Sequence, residues 1–128
     1  MKSYFIDTNV ILRFLLRDNE GCYKKAVGYF GDAKAGNIQL HLIPEVIFEI
    51  DYVLRGVYSI PKQEIVEICL KLVKSPLLKI NDRSVLIQAL EMYKTMNIDL
   101  FDIYLHYFAL NKKSTVLSFD RDFEKFKK

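Results

Sequence analysis

The chain has 128 residues, a formal net charge of +3, 51% hydrophobic residues and two cysteines. That composition excludes a disordered chain, and the length suits a single domain, 1–128, whose core needs no staples. Cys22 and Cys69 form no C-x-x-C pair, which argues against a zinc knuckle, a redox motif or a disulfide framework, and both read as small buried hydrophobes in a reducing compartment.

Val10 to Leu16 is apolar and follows a lysine. Asp7 precedes it, Arg13 interrupts it and no small-residue cleavage site follows, so it does not read as a signal peptide. No stretch approaches the roughly 20 apolar residues of a membrane span. The expected location is the cytoplasm, with no membrane partner. The mild positive charge permits a polyanionic partner without demanding one.

The elements follow in chain order. Ser3 to Ile6 is an apolar run of strand type that stops at Asp7. Asp7-Thr8-Asn9 favours a turn or a helix cap, and Val10 to Leu16 restarts as helix. Glu20 to Lys34 is helical, with Ala26, Val27, Tyr29, Phe30 and Ala33 apolar, and Gly36-Asn37 ends it. Ile38 to Ile43 predicts a second strand. Pro44 suits the first turn of a helix running to about Leu54, with Gly56 near its end. Ile60 to Lys74 is the next helix, with Ile65, Ile68, Cys69, Leu72 and Val73 on one face. Leu77 to Ile80 predicts a third strand, and Asn81 or Asp82 caps a helix through about Met96. Asp99 to Asn111 is helical, Thr115 to Ser118 predicts a fourth strand, and Asp122 to Lys127 a final turn or two. Lys125, Lys127 and Lys128 read as a solvated, frayed end. Strands alternating with helices imply βαβ units and a parallel sheet covered on both faces. In such sheets ligands bind beyond the C-terminal ends of the strands.

Asp7 and Asp120 each follow an apolar strand-type run and so fall at that edge. An aspartate there is most often a helix cap, but two at one sheet edge are harder to dismiss. Glu49 lies on the border of the apolar stripe of its helix, made of Val46, Ile50, Val53, Leu54 and Val57. Asp51 falls on the opposite border. Asp102 opens a very apolar helix one turn after Asp99. Those two acids fit equally well as a first-turn residue and an N-cap. Four carboxylates suit a hard cation such as Mg²⁺ or Mn²⁺, which prefers oxygen ligands and supports phosphodiester hydrolysis without a protein nucleophile. His41 and His106 are the only histidines. His41, in a strand pattern, reads as structural. His106, a turn beyond Asp102, either bonds to that acid or fills the core.

The segments Tyr4-Phe-Ile-Asp-Thr-Asn-Val-Ile-Leu, Pro44-Glu-Val-Ile-Phe-Glu-Ile-Asp-Tyr-Val-Leu, Asp99-Leu-Phe-Asp-Ile-Tyr-Leu and Leu117-Ser-Phe-Asp-Arg-Asp-Phe resemble the PIN-domain family. Within it they look most like VapC-type toxins of toxin–antitoxin pairs. The resemblance implies a three-layer α/β/α domain with a mainly parallel sheet of four to five short strands. It implies an Mg²⁺- or Mn²⁺-dependent endoribonuclease, the toxin of a type II pair, whose acids are Asp7, Glu49, Asp102 and Asp120. Asn9 and Ser118 would orient carboxylates or waters. Asp99 and Asp122 occupy positions that are sometimes acidic. A homodimer is implied, along with a small antitoxin whose tail places a basic residue among the carboxylates. Tyr52, Tyr58 and Tyr93, with no obvious core role, would suit interfaces.

Two departures stand out. Family members often continue past the last motif into a further short strand, so with Lys128 as the last residue that strand is expected to be missing or very short. Ile103 stands where a small residue is common.

Arg13, Arg17, Arg121 and Lys125 follow the two strand-end acids and are candidate phosphate contacts, or else solvated surface charges. A haloacid-dehalogenase-like phosphatase would want a second Asp where Asn9 stands, and a receiver domain an acidic pair near Asp7. The competing reading within the resemblance is a catalytically inactive PIN-like module that binds RNA or protein.

Overall fold

The computed structural model of the chain describes residues 1–127. Three strands, β1 (Lys2–Phe5), β2 (Ile38–His41) and β3 (Leu78–Lys79), form a parallel sheet in the order β1-β2-β3. Lys2 pairs with Ile38 and Phe5 with His41, while Leu40 pairs with Leu78 and His41 with Lys79. The ladder runs one residue past the strands: the Ile6 amide donates to the His41 carbonyl at 2.9 Å and the Leu42 amide to the Lys79 carbonyl at 3.0 Å. Parallel neighbours require long crossovers. The helices α1 (Thr8–Leu16) and α2 (Glu20–Lys34) join β1 to β2, and α3 (Pro44–Gly56) and α4 (Lys62–Lys74) join β2 to β3. The helices α5 (Arg83–Tyr93) and α6 (Leu100–Asn111) follow, then a 3₁₀ helix, Arg121–Phe126. No helix among the described residues is long and apolar enough to cross a membrane.

Side chains alternate across β1, so Tyr4 and Phe5 face opposite ways. Tyr4 packs edge-on against Tyr29 of α2 at 5.4 Å between ring centres. Phe5 stacks on His41 on the other face, where both border a pocket also lined by α6. The buried core gathers Ile11, Leu40, Ile47, Ile50, Leu54, Ile65, Leu86, Leu90 and Ile103, all essentially inaccessible. The helical period produces this directly. In α4 the buried Ile65, Val66, Cys69, Leu70 and Val73 recur at three- and four-residue spacing and form one stripe. Truncating any of these large aliphatics to Ala costs about 2–5 kcal/mol.

Several expectations are corrected. Among the described residues the sheet has three strands, not four to five: Thr115 to Ser118 joins no strand, and Leu117 and Phe119 lie fully in solvent. Local bonds compete with strand formation here. The Ser118 hydroxyl accepts from the Asp120 amide at 3.0 Å, and the Asp120 carboxylate accepts from the Asp122 amide at 2.9 Å, turning the chain into the 3₁₀ helix. The strand expected at Ile38–Ile43 stops at His41, and that at Leu77–Ile80 shrinks to two residues. The first helix starts at Thr8 rather than Val10, and α5 ends at Tyr93 rather than Met96. Asp82 sits at the N-cap position of α5 with a left-handed backbone, but its side chain makes no cap bond. Cys22 is exposed because it lies on α2, where Ala26 alone is fully buried. Lys128 lies outside the described residues.

Asp51 and Tyr93 are the largest surprise. Asp51 is only 3% exposed, and Tyr93 is buried rather than free at the surface. The Tyr93 hydroxyl donates to Asp51 Oδ1 at 3.0 Å, and Arg55 Nη2 donates to Asp51 Oδ2 at 3.2 Å. A buried carboxylate persists only when paired and hydrogen-bonded in this way. Burial, followed by the nearby Asp51 charge, pushes the Tyr93 hydroxyl well above its ordinary range and the Cys69 thiol up to about 12. Neither group ionises near neutral pH, so both serve the core.

Candidate active site

Asp102 occupies the first turn of α6, where the helix dipole favours a negative charge. Asp120 and Asp122 reach it from the 3₁₀ helix, which is fastened to α6 by an aromatic contact. Phe126 stacks face to face on His106, with ring centres 3.9 Å apart, one helical turn beyond Asp102. The result is a group of three carboxylates, Asp102, Asp120 and Asp122, each offering an oxygen within 4.8 Å of the others. It is the one such group among the described residues.

Partial burial, then the charges of Asp99, Asp120 and Asp122, hold the Asp102 carboxyl above the usual range. Burial lowers His106, so its imidazole is neutral near pH 7 and acts as a stacking surface. His106 therefore fills space rather than bonding to Asp102. Lys125 reaches back to the group, its Nζ 3.1 Å from Asp122 Oδ1 and donating to the Asn97 carbonyl at 3.3 Å.

A second set of polar groups gathers where β1 meets α1. Asp7 ends the strand and stands at the N-cap position of α1, yet its carboxylate caps nothing and is exposed. The cap explanation therefore holds for Asp120 and fails for Asp7. Thr8, between Asp7 and Asn9, is buried and donates its hydroxyl hydrogen to Glu49 Oε2 at 2.8 Å. Asn9 is exposed.

The aromatic residues beside two of the acids join the helices that carry them: Phe48 packs against Phe101 at 5.4 Å and against Tyr104 at 5.1 Å. Glu49 follows Phe48 and Asp102 follows Phe101. Of the four expected acids, the close group thus holds Asp102 and Asp120, joined by Asp122. Asp7 and Glu49 lie outside it.

The candidate phosphate contacts are mostly engaged. Arg13 pairs with Asp18 at 2.6 Å, and Arg17 pairs with Glu20 at 2.8 Å while lying over the Tyr23 ring. Arg121 is exposed. Exposed pairs such as Arg17–Glu20 contribute little to stability, because solvent screens them.

The PIN domain family model matches residues 4–128 of the chain. This chain belongs to the PIN-domain family. PIN domains are in general nucleases that hydrolyse phosphodiester bonds, bind RNA and typically use divalent metal. No curated protein and no solved structure matches the chain. Within the PIN domain, the Thr8–Glu49 hydrogen bond was not legible in the sequence, because it forms only when α1 packs on α3. Phe126 reads in the sequence only as part of a final turn or two over Asp122 to Lys127, yet its stacking on His106 ties the segment that carries Asp120 and Asp122 to α6.

Proposed function

We propose that this chain is a metal-dependent endoribonuclease, with residues 1–128 forming one nuclease domain. We propose further that it is the cytoplasmic toxin of a type II toxin–antitoxin pair, a homodimer inhibited by a small antitoxin. The observation that carries the nuclease reading is the convergence of Asp102, Asp120 and Asp122. An all-oxygen donor set with oxygens within 4.8 Å of one another fits a hard divalent cation such as Mg²⁺ or Mn²⁺. Partial burial and the neighbouring charges of Asp99, Asp120 and Asp122 hold the Asp102 carboxyl above its usual range, which a bound cation would relieve.

Asp102, Asp120 and Asp122 would hold the cation, with Ser118 fixing Asp120 through its backbone. When bound, the cation supplies charge neutralisation at the phosphate and hydroxide near neutral pH. Asp7, exposed and uncommitted to any cap, would be free to act on the phosphodiester from the end of β1. Glu49, oriented by Thr8, would take the proton that water loses in becoming the nucleophile, and the departing 3′-oxygen would take one from solvent. Attack on phosphorus in line with the departing 3′-oxygen leaves 5′-phosphate and 3′-hydroxyl ends. The dimer and antitoxin reading draws support from Tyr52 and Tyr58, which remain exposed.

The test is cleavage of single-stranded RNA by the purified protein. EDTA should abolish it, Mg²⁺ or Mn²⁺ should restore it, and Asp7→Asn or Asp102→Asn should remove nearly all of it in a folded protein. Cleavage that survives EDTA, or products with 2′,3′-cyclic ends, would overturn the mechanism. No cleavage under any metal condition would leave the inactive binding module as the better reading. A monomer in light scattering at tens of micromolar would count against the dimer.

A further inference from the structure

Beyond the C-terminal ends of the strands lies a pocket of about 450 Å³, apart from the carboxylate group. That volume falls within the roughly 300–1,000 Å³ of small-ligand sites. Its aromatic lining is unusual for a soluble surface. Phe5 is 71% exposed and Phe101 is 49% exposed, so both leave much of a ring in water. Phe5 lies nearly parallel to His41, with ring centres 4.6 Å apart and planes 15° apart. This stack uses one face of each ring and leaves the platform open-ended. The register explains the geometry: Phe5 and His41 are paired residues on neighbouring strands, so their side chains stand together on one face of the sheet. Lys79, Asn81, Glu45 and Asp82 border the same pocket.

We propose that this pocket receives one unpaired nucleobase of the RNA, stacked on Phe5 and held at its rim by Phe101. The proposal rests on the nuclease reading above and names one part of the substrate that the chain would hold. Three observations favour a base over another apolar group. Flat exposed rings are the surfaces on which single-stranded bases stack. The polar rim offers an amide and two carboxylates, which match the amino and ring-nitrogen edges of a base, while Lys79 supplies one cation for the backbone. Pocket and acids are also linked along the chain, since Phe5 lies two residues before Asp7 and Phe101 immediately before Asp102. A duplex cannot present a base this way, so the pocket selects loops and single strands.

The test uses a short single-stranded RNA carrying one 2-aminopurine, with binding followed in EDTA and cleavage in Mn²⁺. Wild type should quench the 2-aminopurine on binding. Phe5→Leu and Phe101→Leu should lose most of the quenching and raise KM about tenfold with kcat largely kept, and Phe5→Tyr should restore both. Phe5 is the more exposed of the two, so Phe5→Leu should unfold near the wild-type temperature, and parallel thermal unfolding of Phe101→Leu separates loss of the Phe48 contact from loss of the base. Unchanged quenching and KM in the Leu variants would overturn the proposal while leaving the nuclease reading intact. Quenching that depends on Phe5 in a protein that never cleaves would support the pocket and sink the nuclease reading. Loss of self-association in Phe5→Leu with quenching unchanged would overturn the proposal by assigning the face to a second copy.

Discussion

Thr8 on α1 donates its hydroxyl hydrogen to Glu49 Oε2 on α3 across 2.8 Å, joining positions 41 residues apart. Glu49 lies on an exposed border, and this bond fixes where one of its oxygens points. Outer groups that orient a reactive carboxylate typically contribute about 10–100-fold to activity or metal affinity. Thr8→Val keeps the shape and removes the donor. It should therefore lower kcat for RNA cleavage by about 10–100-fold while shifting stability by only about 1 kcal/mol. Thr8→Ser should recover most of the rate. Steady-state kinetics with parallel thermal unfolding checks this, and a Val variant with wild-type kcat would remove Thr8 from the site.

The carboxylate group makes a pH prediction in the metal-free protein. The folded-state pKa of Asp102 lies above its ordinary value of 3.8. Across the window between them the native state holds more protons than the unfolded chain, so stability falls as pH rises. Above the window the charged Asp102 burdens the fold. Asp102→Asn should melt higher than wild type at pH 7 in EDTA, and the gap should close as pH falls below 3.8, where both side chains are neutral. Calorimetric scans from pH 3 to pH 7 measure it. A variant that melts lower at pH 7 would show that the Asp102 charge is stabilising.

Metal binding is checked by titration calorimetry with Mn²⁺. Asp102→Asn and Asp120→Asn should each weaken binding by at least about tenfold, since each removes one of three or so charged oxygen ligands. Lys125→Met should tighten it, because the ammonium at 3.1 Å from Asp122 competes for the same carboxylate. Equal affinity in all four proteins would mean that this group does not hold the ion.

Tyr93→Phe probes the core rather than the site. It leaves Asp51 Oδ1 without its donor in a buried setting, at a cost of about 1–3 kcal/mol. For a chain of this length that is a drop in Tm of roughly 3–12 °C. Cleavage per folded molecule should stay at the wild-type level. An unchanged Tm would show that water replaces the phenol without loss.

The repeating apolar spacing made the helices legible, and the Pro44 start of α3 was placed to the residue. The parallel sheet followed from the alternation of helix and strand. What escaped were features decided by distant partners. Asp51 and Glu49 looked alike as stripe-border acids, and only the approach of Tyr93 from α5 separates the buried one from the exposed one. Val116-Leu117-Ser118-Phe119 has strand composition, but no residue within it announces that Ser118 and Asp120 will spend their side chains on nearby amides. The acids at Asp102 and Asp120 were readable from their neighbours. The entry of Asp122 into their group depends on the stacking of Phe126 on His106, a contact no local pattern encodes.

The sheet has a bearing on how the molecule is born. Every strand pairing among the described residues is parallel and non-local: Ser3 pairs with Gln39, 36 residues away, and β2 waits again for β3. Domains rich in such distant pairings form slowly, because loop closure precedes any reward. During synthesis at about 5–20 residues per second, β1 leaves the ribosome seconds before β2 can pair with it. Its Tyr4 and Ile6, which the fold later covers, travel uncovered for that interval. For a cell making this protein, the vulnerable period is the one between the first strand and the second.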